Sequence, residues 1–313
     1  MSIVDFLVEK LVVPKSIVET LVLTAPHRYK TYEVTKRNGK GKREIAQPSK
    51  ELKYIQRIVL KEFDLMQNLP IHDSAMAYRK NIGIQDNALM HKDNQYLLKM
   101  DFSNFFPSIV PTDLIKHIEK YKGLKLDEED IKCLSRLFFY TKEKGSGLVL
   151  SIGAPSSPYI SNTLMYDFDI LLQKKCEQKN IVYSRYADDL TLSTNVPKIL
   201  FDFPAVVNGI LKEILTPKLL INDSKTVFLS KGTNRNVTGL VISNEGKVTI
   251  GRDKKREIKS MVYKYSLSHQ LDPESEIPYL KGYLNYINGV EPSFLKSLEK
   301  KYGIDLIKLI RNS

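Results

Sequence analysis

Length, composition and charge set the first limits on this chain. Its 313 residues suffice for one large domain or for two to three modest ones. A hydrophobic content of 42% with 27% charged residues excludes wholesale disorder and argues against a membrane protein. The 48 lysines and arginines outnumber 36 acids, and the resulting net charge of +12 favours a polyanionic partner.

The cysteines and the N-terminal segment indicate which cellular compartment to expect. Cys133 and Cys176 lie far apart without Cys-x-x-Cys or Cys/His spacing, so we expect reduced thiols and neither a disulfide framework nor a zinc site. Asp5 and Glu19 interrupt the apolar N-terminal stretches, which predicts no secretory signal and no membrane span. We therefore expect a cytoplasmic protein with no membrane partner.

The N-terminal third predicts helices followed by a basic hairpin and a further helix. Residues 1–25 show helical spacing and predict two short helices divided at Pro14. Extended residues on both sides of Asn38 and Gly39 predict a β-hairpin that turns there. Residues 49–66 then predict an amphipathic helix.

The centre predicts strands that end in aspartate. Residues 96–100 read as a buried strand that ends at Asp101, and residues 111–121 and 127–140 read as helices. Residues 153–179 predict a loop that enters one long helix. The stretch IVYSRYADDLTLS, residues 181–193, predicts a hairpin whose tip is formed by Ala187, Asp188 and Asp189.

The C-terminal part predicts short strands and then helices. A helix near residues 202–215 precedes strands broken by Gly and Asn turns over residues 219–251. From Arg252 onward the pattern is helical, with an apolar stripe at Leu280, Tyr283, Leu284 and Ile287. The fold class predicted is α+β.

Two interpretations of Asp188 and Asp189 are open from the residues alone. A solvated turn is one, because aspartate favours turns. In the other, the strand ending at Asp101 pairs with the hairpin and gathers three carboxylates, which is costly without cations. Two Mg²⁺ ions on such carboxylates can activate an attacking hydroxyl and steady the leaving oxygen, so this arrangement favours nucleotidyl transfer.

Five stretches in order resemble the reverse transcriptases. YADD resembles the catalytic box of that family, MDFSNFFPSI its first aspartate motif, and IGAPSSPYISN the loop and helix before the box. REIAQPSKELKYIQ resembles the fingers motif and LLINDSKT the segment after the box. The resemblance implies a right-hand polymerase with fingers (residues 1–95), a palm (96–250, returning to the fingers around 111–150) and a helical thumb (251–313).

Two further motifs narrow the resemblance to retron reverse transcriptases. NALMH, residues 87–91, resembles an Asn-Ala-x-x-His signature, and VTGL, residues 237–240, resembles a Val-Thr-Gly element of that group. The resemblance implies RNA contacts from these motifs, although His91 is equally well explained as a structural residue. The candidate RNA-binding residues are Asn87, His91, Val237, Thr238 and Gly239.

The resemblance also assigns catalytic and metal-binding roles. Asp101 and Asp188 are the expected main ligands of two Mg²⁺ ions, with the backbone carbonyl of Phe102 as a further ligand. Asp189 is expected to complete the catalytic triad from a more peripheral position. The substrates implied are deoxynucleoside triphosphates (dNTP).

Nucleotide-binding roles follow from the same resemblance. Phe106 is expected to block a ribose 2′-OH, although a core phenylalanine is the alternative at that position. Arg43 and Lys225 are expected near the triphosphate, while Lys53 reads as a solvated helix charge. Gly153, Ala154 and Pro155 are expected to line the nucleotide pocket. Ile152 departs from the family pattern, which has glutamine there.

The function implied is RNA-directed DNA polymerase activity on a cognate structured noncoding RNA (msr-msd). Synthesis would start from the 2′-OH of an internal guanosine and give branched RNA linked to single-stranded DNA (msDNA). The retron resemblance further implies an effector protein from the same operon and a role in antiphage defence. The alternatives are another bacterial reverse transcriptase with a 3′-OH primer, a catalytically inactive RNA-binding module, and a metal-dependent nuclease.

Overall fold

The structure is a computed structural model that describes residues 1–35, 39, 41–142, 146–214, 216–268 and 271–312. Within these ranges, no helix is long and apolar enough to cross a bilayer. The helices in chain order are α1 (Ile3–Leu11), α2 (Lys15–Thr24), α3 (Lys50–Glu62), α4 (Ile84–Met90), α5 (Pro111–Lys122), α6 (Glu128–Phe138), α7 (Ser157–Leu164), α8 (Tyr166–Glu177), α9 (Phe203–Glu213), α10 (Arg252–Ser268), α11 (Glu276–Val290), α12 (Pro292–Tyr302) and α13 (Ile304–Asn312).

The strands form several small antiparallel sheets. In chain order they are β1 (Tyr29–Thr35), β2 (Lys42–Pro48), β3 (Tyr96–Asp101), β4 (Phe139–Thr141), β5 (Leu148–Leu150), β6 (Val182–Tyr186), β7 (Asp189–Thr194), β8 (Val227–Leu229), β9 (Arg235–Val237), β10 (Leu240–Ile242) and β11 (Val248–Thr249). The largest sheet has the order β6-β7-β3-β8, and the others are β1-β2, β4-β5 and β11-β10-β9.

Most predicted elements are confirmed. Pro14 separates α1 from α2, and β1 pairs with β2 as the predicted hairpin. The turn predicted at Asn38 lies outside the described residues, whereas Gly39 has a positive φ of 69°. Helix α6 begins with acidic residues, as predicted. The Asp127 side chain caps this helix by accepting a hydrogen bond from the Asp130 amide. Cys133 and Cys176 are buried free thiols.

The long helix predicted over residues 153–179 is wrong in one respect. It is two helices, α7 and α8, which meet at the fully buried Met165. Just before this break, the side chains of Asn162 and Thr163 bind the backbone carbonyls of Ala77 and Pro70, outside the helix. Backbone hydrogen bonds continue across the junction, from the Met165 amide to the Ser161 carbonyl and from the Asp169 amide to the Met165 carbonyl.

Two hydrophobic cores organise the chain. The first joins residues of α1–α3 and α5–α9 to the large sheet. The second joins α10–α13 to the β9–β11 sheet and also takes in Ala88 of α4 and Leu97 of β3. The β9–β11 sheet therefore packs with the C-terminal helices, and α4 and β3 link the two cores.

Candidate active site

The end of the large sheet brings together carboxylates from distant parts of the chain. In the antiparallel pairing of β3 with β7, Asp101 lies directly opposite Asp189. Asp189 also pairs with Tyr186 of β6, so the hairpin loop consists of Ala187 and Asp188 only. The predicted tip of three residues is therefore wrong at Asp189, which is the first residue of β7. The sheet thus presents Asp101 and Asp189 side by side, with Asp188 in the adjoining loop.

Mutual repulsion and burial perturb these acids. Burial raises the pKa of Asp188, the charge of Asp101 raises it further, and Lys225 and Arg43 act in the opposite direction. Burial, then Asp188, raises the pKa of Asp189 to about 6. Asp101 is 7% exposed, and its Oδ1 lies 2.6 Å from the Lys225 Nζ. The site therefore concentrates negative charge, which the Lys225 ammonium partly neutralises by direct contact with Asp101.

The donor set suits a hard divalent cation. Carboxylate oxygens are the protein ligands that Mg²⁺ prefers, and burial together with the neighbouring carboxylates raises the pKa of Asp188 and of Asp189, so a cation would favour their charged forms. Among the described residues, however, no three acid, histidine or cysteine side chains are arranged as a complete metal cluster. The Lys225 ammonium is the cation in contact with Asp101.

The loop that carries Asp188 has an unusual backbone. Ala187 has a φ of 59°, a left-handed conformation that costs a non-glycine residue roughly 1–2 kcal/mol. A positive φ at the first central position suits a two-residue hairpin loop, because it matches the twist of the strands. The carbonyl of Ala187 accepts a hydrogen bond of 3.1 Å from Nη1 of the fully buried Arg185.

A cavity of about 320 Å³ provides the second part of the site. Its walls come from α3, from the segment before α4, and from the loop that leads into α7. It is lined by Lys53, Arg57, Tyr78, Phe106, Ser151, Ile152, Gly153, Ala154, Pro155, Ser157 and Pro158.

Close backbone packing shapes the wall formed by the loop before α7. Gly153 has a φ of 127°, and a Cβ at this position would lie 3.0 Å from the Ala46 carbonyl oxygen of β2. The Ala46 amide also donates a 2.9 Å hydrogen bond to the Ile152 carbonyl. The loop is therefore fixed against the β1–β2 hairpin, and glycine is needed for the close approach.

A buried hydroxyl in this wall has no protein partner. Ser157 is 1% exposed, and within the described ranges its Oγ has no hydrogen-bond partner. A buried hydroxyl without a partner is unfavourable, and this one belongs to a residue that lines the cavity. The wall of the cavity therefore contains a buried hydroxyl whose hydrogen-bonding capacity the described residues leave unused.

Comparison with known proteins now places the chain in a family. A family model described as reverse transcriptase (RNA-dependent DNA polymerase) matches residues 34–263. The retron Ec83 reverse transcriptase of Escherichia coli is 40% identical over 285 residues, covering 90% of this chain and 89% of that protein. The chain belongs to the retron reverse transcriptases. A second relative, the retron Ec86 reverse transcriptase of Escherichia coli, is 32% identical over 291 residues and covers 90% of this chain and 85% of that protein.

Membership of this family fixes the coarse function and fold. The chain is an RNA-directed DNA polymerase with the right-hand polymerase fold, in the α+β class that the sequence predicts. Among solved structures, telomerase from Candida albicans aligns with a TM-score of 0.49 and 14% identity, covering 91% of this chain and 61% of that one. A foamy viral protease-reverse transcriptase aligns with a TM-score of 0.43 and 15% identity, covering 91% and 44%.

The nucleotide-binding residues predicted for this reverse transcriptase fall in two places. Phe106, Gly153, Ala154 and Pro155 line the cavity together. Arg43 is exposed on β2, close enough to Asp188 to lower its pKa, and Lys225 contacts Asp101 instead of the cavity. The interpretation of Lys53 as a solvated helix charge stays a prediction; the residue is half-buried on α3 and lines the cavity.

The residues predicted to contact RNA lie mostly inside the reverse transcriptase. Asn87 of α4 and His91, which directly follows this helix, are fully buried, and so is Val237. The His91 ring nitrogens lie 2.7 Å from Ser193 Oγ and 2.8 Å from Ser184 Oγ. This burial argues against the predicted RNA contact of His91 and favours its structural alternative.

The two retron motifs instead meet each other. Ser184 Oγ donates a 2.6 Å hydrogen bond to Asn87 Oδ1, and Asn87 Nδ2 lies 3.5 Å from Thr238 Oγ1. Thr238 is half-buried, Gly239 is exposed, and both have positive φ in the two-residue turn between β9 and β10. Of the five candidates, these two have side-chain or backbone surface open to an RNA.

Sequence reasoning missed a buried ionic network beneath the hairpin. Arg185 and Asp169 are both 0% exposed and form an ion pair of 2.6 Å. Tyr183 Oη donates a 2.7 Å hydrogen bond to the same aspartate. The available signal was strand alternation, which puts Tyr183 and Arg185 on one face of β6; nothing local identified Asp169 of α8 as their partner.

Proposed function

We propose that this reverse transcriptase copies part of a cognate structured noncoding RNA (msr-msd) into single-stranded DNA (msDNA) by nucleotidyl transfer at Asp101, Asp188 and Asp189. The observation that carries the proposal is the register pairing of Asp101 with Asp189, beside a cavity lined by Phe106. Priming from the 2′-OH of an internal guanosine and a role in antiphage defence with an effector protein of the same operon extend the proposal. The retron relatives support both extensions. The RNA partner makes the cytoplasm the expected site of action.

The proposed metal ligands are the three carboxylates and one carbonyl. Asp101 and Asp188 would hold two Mg²⁺ ions together with the Phe102 carbonyl, and Asp189 would complete the set. When bound, the ions supply activation of the attacking hydroxyl and neutralisation of the leaving phosphate oxygens. The chain holds its carboxylates close together, and Lys225 and Arg43 provide positive charge beside them for a triphosphate.

The proposed dNTP pocket is the cavity beside the carboxylates. Gly153, Ala154 and Pro155 would form its backbone wall and Phe106 would block a ribose 2′-OH. We further propose that the Ser157 hydroxyl supplies a hydrogen bond to the nucleotide, since Ile152 stands where family members have glutamine.

Phe106→Ala tests the proposed block. We expect the preference for deoxynucleotides over ribonucleotides to fall by roughly tenfold to 100-fold, because the site loses the group that collides with the 2′-OH. The ratio of the kcat/KM values for dNTP and for NTP measures this preference. Phe105→Leu is the matched control, because Phe105 is a buried core neighbour that should affect stability and not discrimination. An unchanged preference in Phe106→Ala rejects the block.

We propose the same three domains for this fold. Residues 1–95 form the N-terminal helices and fingers, residues 96–250 form the palm with a return to the fingers around 111–150, and residues 251–313 form the thumb. The two hydrophobic cores support a separate C-terminal unit. The packing of β9–β11 with the C-terminal helices favours a structural boundary before β9.

One experiment tests the proposed reaction. The gene is expressed with its flanking DNA, and total nucleic acid is examined for a short DNA that is joined to RNA and loses its branch on debranching. We expect this product from the wild type and none from Asp188→Ala. A linear DNA without a branch would favour a 3′-OH primer, and identical profiles for both proteins would reject the retron reaction. Phage plating of the same strains tests the defence role.

A further inference from the structure

The face of β6 opposite His91 carries a charged side chain that no solvent reaches. Arg185 is 0% exposed, and its Nε and Nη2 donate hydrogen bonds to both carboxylate oxygens of Asp169 at 2.6–3.2 Å. Two ions buried in this way lose their hydration, and apolar side chains of similar size often serve stability as well or better. A buried pair of this kind is therefore weak evidence for a stabilising role, and the remaining donor of the guanidinium has a partner of its own.

That donor, Nη1, reaches the hairpin loop. It donates a 3.1 Å hydrogen bond to the Ala187 carbonyl, on the residue just before Asp188. Ala187 has the left-handed φ of 59° that the tight loop requires. The hydrogen bond holds the peptide between Ala187 and Asp188 in one orientation, and the direction of the Asp188 side chain depends on that peptide.

The same Nη1 is also linked to the wall of the cavity. It donates a 3.1 Å hydrogen bond to Asn162 Oδ1, and Asn162 Nδ2 donates a 2.7 Å bond to the Ala77 carbonyl. Ala77 precedes Tyr78, which has a φ of 62° and lines the cavity. One guanidinium thus contacts the loop of Asp188 directly and the Tyr78 wall through a single side chain.

The backbone of Arg185 strengthens the second link. Its amide donates a 2.7 Å hydrogen bond to the Ser74 carbonyl, and its carbonyl accepts a 2.8 Å bond from the Met76 amide. Residues 74–76 therefore run beside β6 as an added edge. The Tyr78 wall and the hairpin are attached to the same residue by both side chain and main chain.

We propose that Arg185 is a positioning residue that sets the loop of Asp188 and the Tyr78 wall of the cavity relative to each other, with Asp169 holding the guanidinium in place. This inference rests on the proposed role of Asp188. In this view the ion pair contributes to catalysis by positioning the reacting groups, and the apolar groups around it stabilise the fold.

The test replaces the pair with apolar residues in the full-length chain. We expect Arg185→Met/Asp169→Leu to keep its melting temperature close to that of the wild type, because the desolvation cost disappears with the charges. We expect kcat for primer extension on an RNA template to fall roughly tenfold to 100-fold, because displacement of a reacting group by about 1 Å costs rate on this scale. The Mg²⁺ concentration for half-maximal rate should rise as well.

Three further variants keep the test decisive. Tyr183→Phe removes one hydrogen bond to Asp169 and leaves the Arg185 contacts intact, so kcat should change by less than about twofold. Asn162→Ala removes the two hydrogen bonds that join Arg185 to Ala77 and leaves the bond from Arg185 to Ala187, so KM for dNTP should rise more than kcat falls. Arg185→Lys keeps the charge, but one ammonium cannot replace the fork that contacts Asp169, Asn162 and Ala187, so kcat should fall even if the double variant fails to fold.

The outcomes separate the inference from the site assignment. A folded double variant, or Arg185→Lys, with kcat within about twofold of the wild type overturns the positioning role, since a misplaced group costs far more. A wild-type rate for Asp188→Ala overturns the site assignment itself and this inference with it. Loss of activity in Asp188→Ala together with full activity in the Arg185 variants overturns the inference alone.

Discussion

The two faces of β6 carry buried polar groups of different kinds. Ser184 faces α4 and forms neutral hydrogen bonds with His91 and Asn87. Arg185, the next residue, faces α8 and forms an ion pair whose spare donor reaches the hairpin loop. The neutral network connects α4 to the palm sheet, and the charged one connects α8 and the cavity wall to Asp188. Two adjacent residues of one strand thus have different roles. Ser184 attaches a helix to one face of the sheet, and Arg185 positions reacting groups from the other face.

The largest effect on kcat is expected at the hairpin loop that Arg185 contacts. Asp188→Ala should lower kcat by about 10³-fold or more, because loss of a metal ligand removes several kcal/mol of transition-state stabilisation. Asp189→Asn should leave measurable activity, since Asp189 is proposed as the more peripheral ligand. Primer extension with purified proteins measures both, and Asp202→Asn on an exposed surface serves as control. Equal activity of Asp188→Ala and Asp189→Asn would contradict the proposed division of roles.

The neutral face should affect stability and leave catalysis unchanged. His91→Ala removes hydrogen bonds to two buried hydroxyls, so the free energy of unfolding should fall by about 1–3 kcal/mol. Denaturant unfolding measures the loss, and kcat per folded molecule should stay near the wild-type value. A large fall in kcat with an unchanged unfolding midpoint would remove the contrast between the two faces.

The same histidine gives the neutral network a pH dependence. Burial lowers the pKa of His91 to about 3, whereas an unfolded histidine titrates near 6.5. Between these values the unfolded chain binds the extra proton, so stability is complete above about pH 6.5 and is lost as the pH falls, by up to about 1.4 kcal/mol per pH unit for this group.

The measurement is unfolding free energy between pH 4.5 and pH 7 for the wild type and His91→Asn, a range that covers the upper part of the titration window of this histidine and the plateau above it. His91→Asn should flatten the slope. Burial also lowers the pKa of His117 to about 4, so some slope should remain in the variant. Equal slopes for both proteins would show that His91 is not held neutral.

The smallest effect is expected where the neutral network reaches the β9–β10 turn. Thr238→Ala removes a hydrogen bond of 3.2 Å to the Ile84 carbonyl and the long contact with Asn87, so stability should change by no more than about 1 kcal/mol. Titration with the cognate RNA tests the role predicted for this half-buried residue. Weaker RNA binding with unchanged stability would support the RNA contact, whereas unchanged binding would restrict Thr238 to the internal network.

Local features of the sequence predicted much of the fold. The apolar run before Asp101 and the extended residues around Ala187 determined a strand and a hairpin, because alternation and turn preference act over a few residues. The register that sets Asp101 opposite Asp189 is non-local: the residues left this pairing as one of two open interpretations, and the family resemblance favoured it. The division of the long helix at Met165 was likewise not visible in the local pattern.

Buried polar partners were the least predictable part of the site. An arginine or a lysine is mostly exposed in proteins, so neither the burial of Arg185 nor the position of Lys53 in the cavity wall followed from residue type. The partners of His91, Ser184 and Ser193, come from strands far along the chain. Pattern and propensity describe one element at a time, and these contacts depend on how elements pack.

The pairing of Asp101 with Asp189 has a consequence for how the enzyme acquires activity. Because side chains alternate along a strand, a shift of β3 against β7 by one residue would turn one carboxylate to the opposite face of the sheet. The two residues belong to segments separated by α5–α8, so their pairing closes a long loop and is intrinsically slow to form. A chain in which this pairing has not yet formed therefore has no assembled centre, and polymerisation can begin only after this non-local contact is in place.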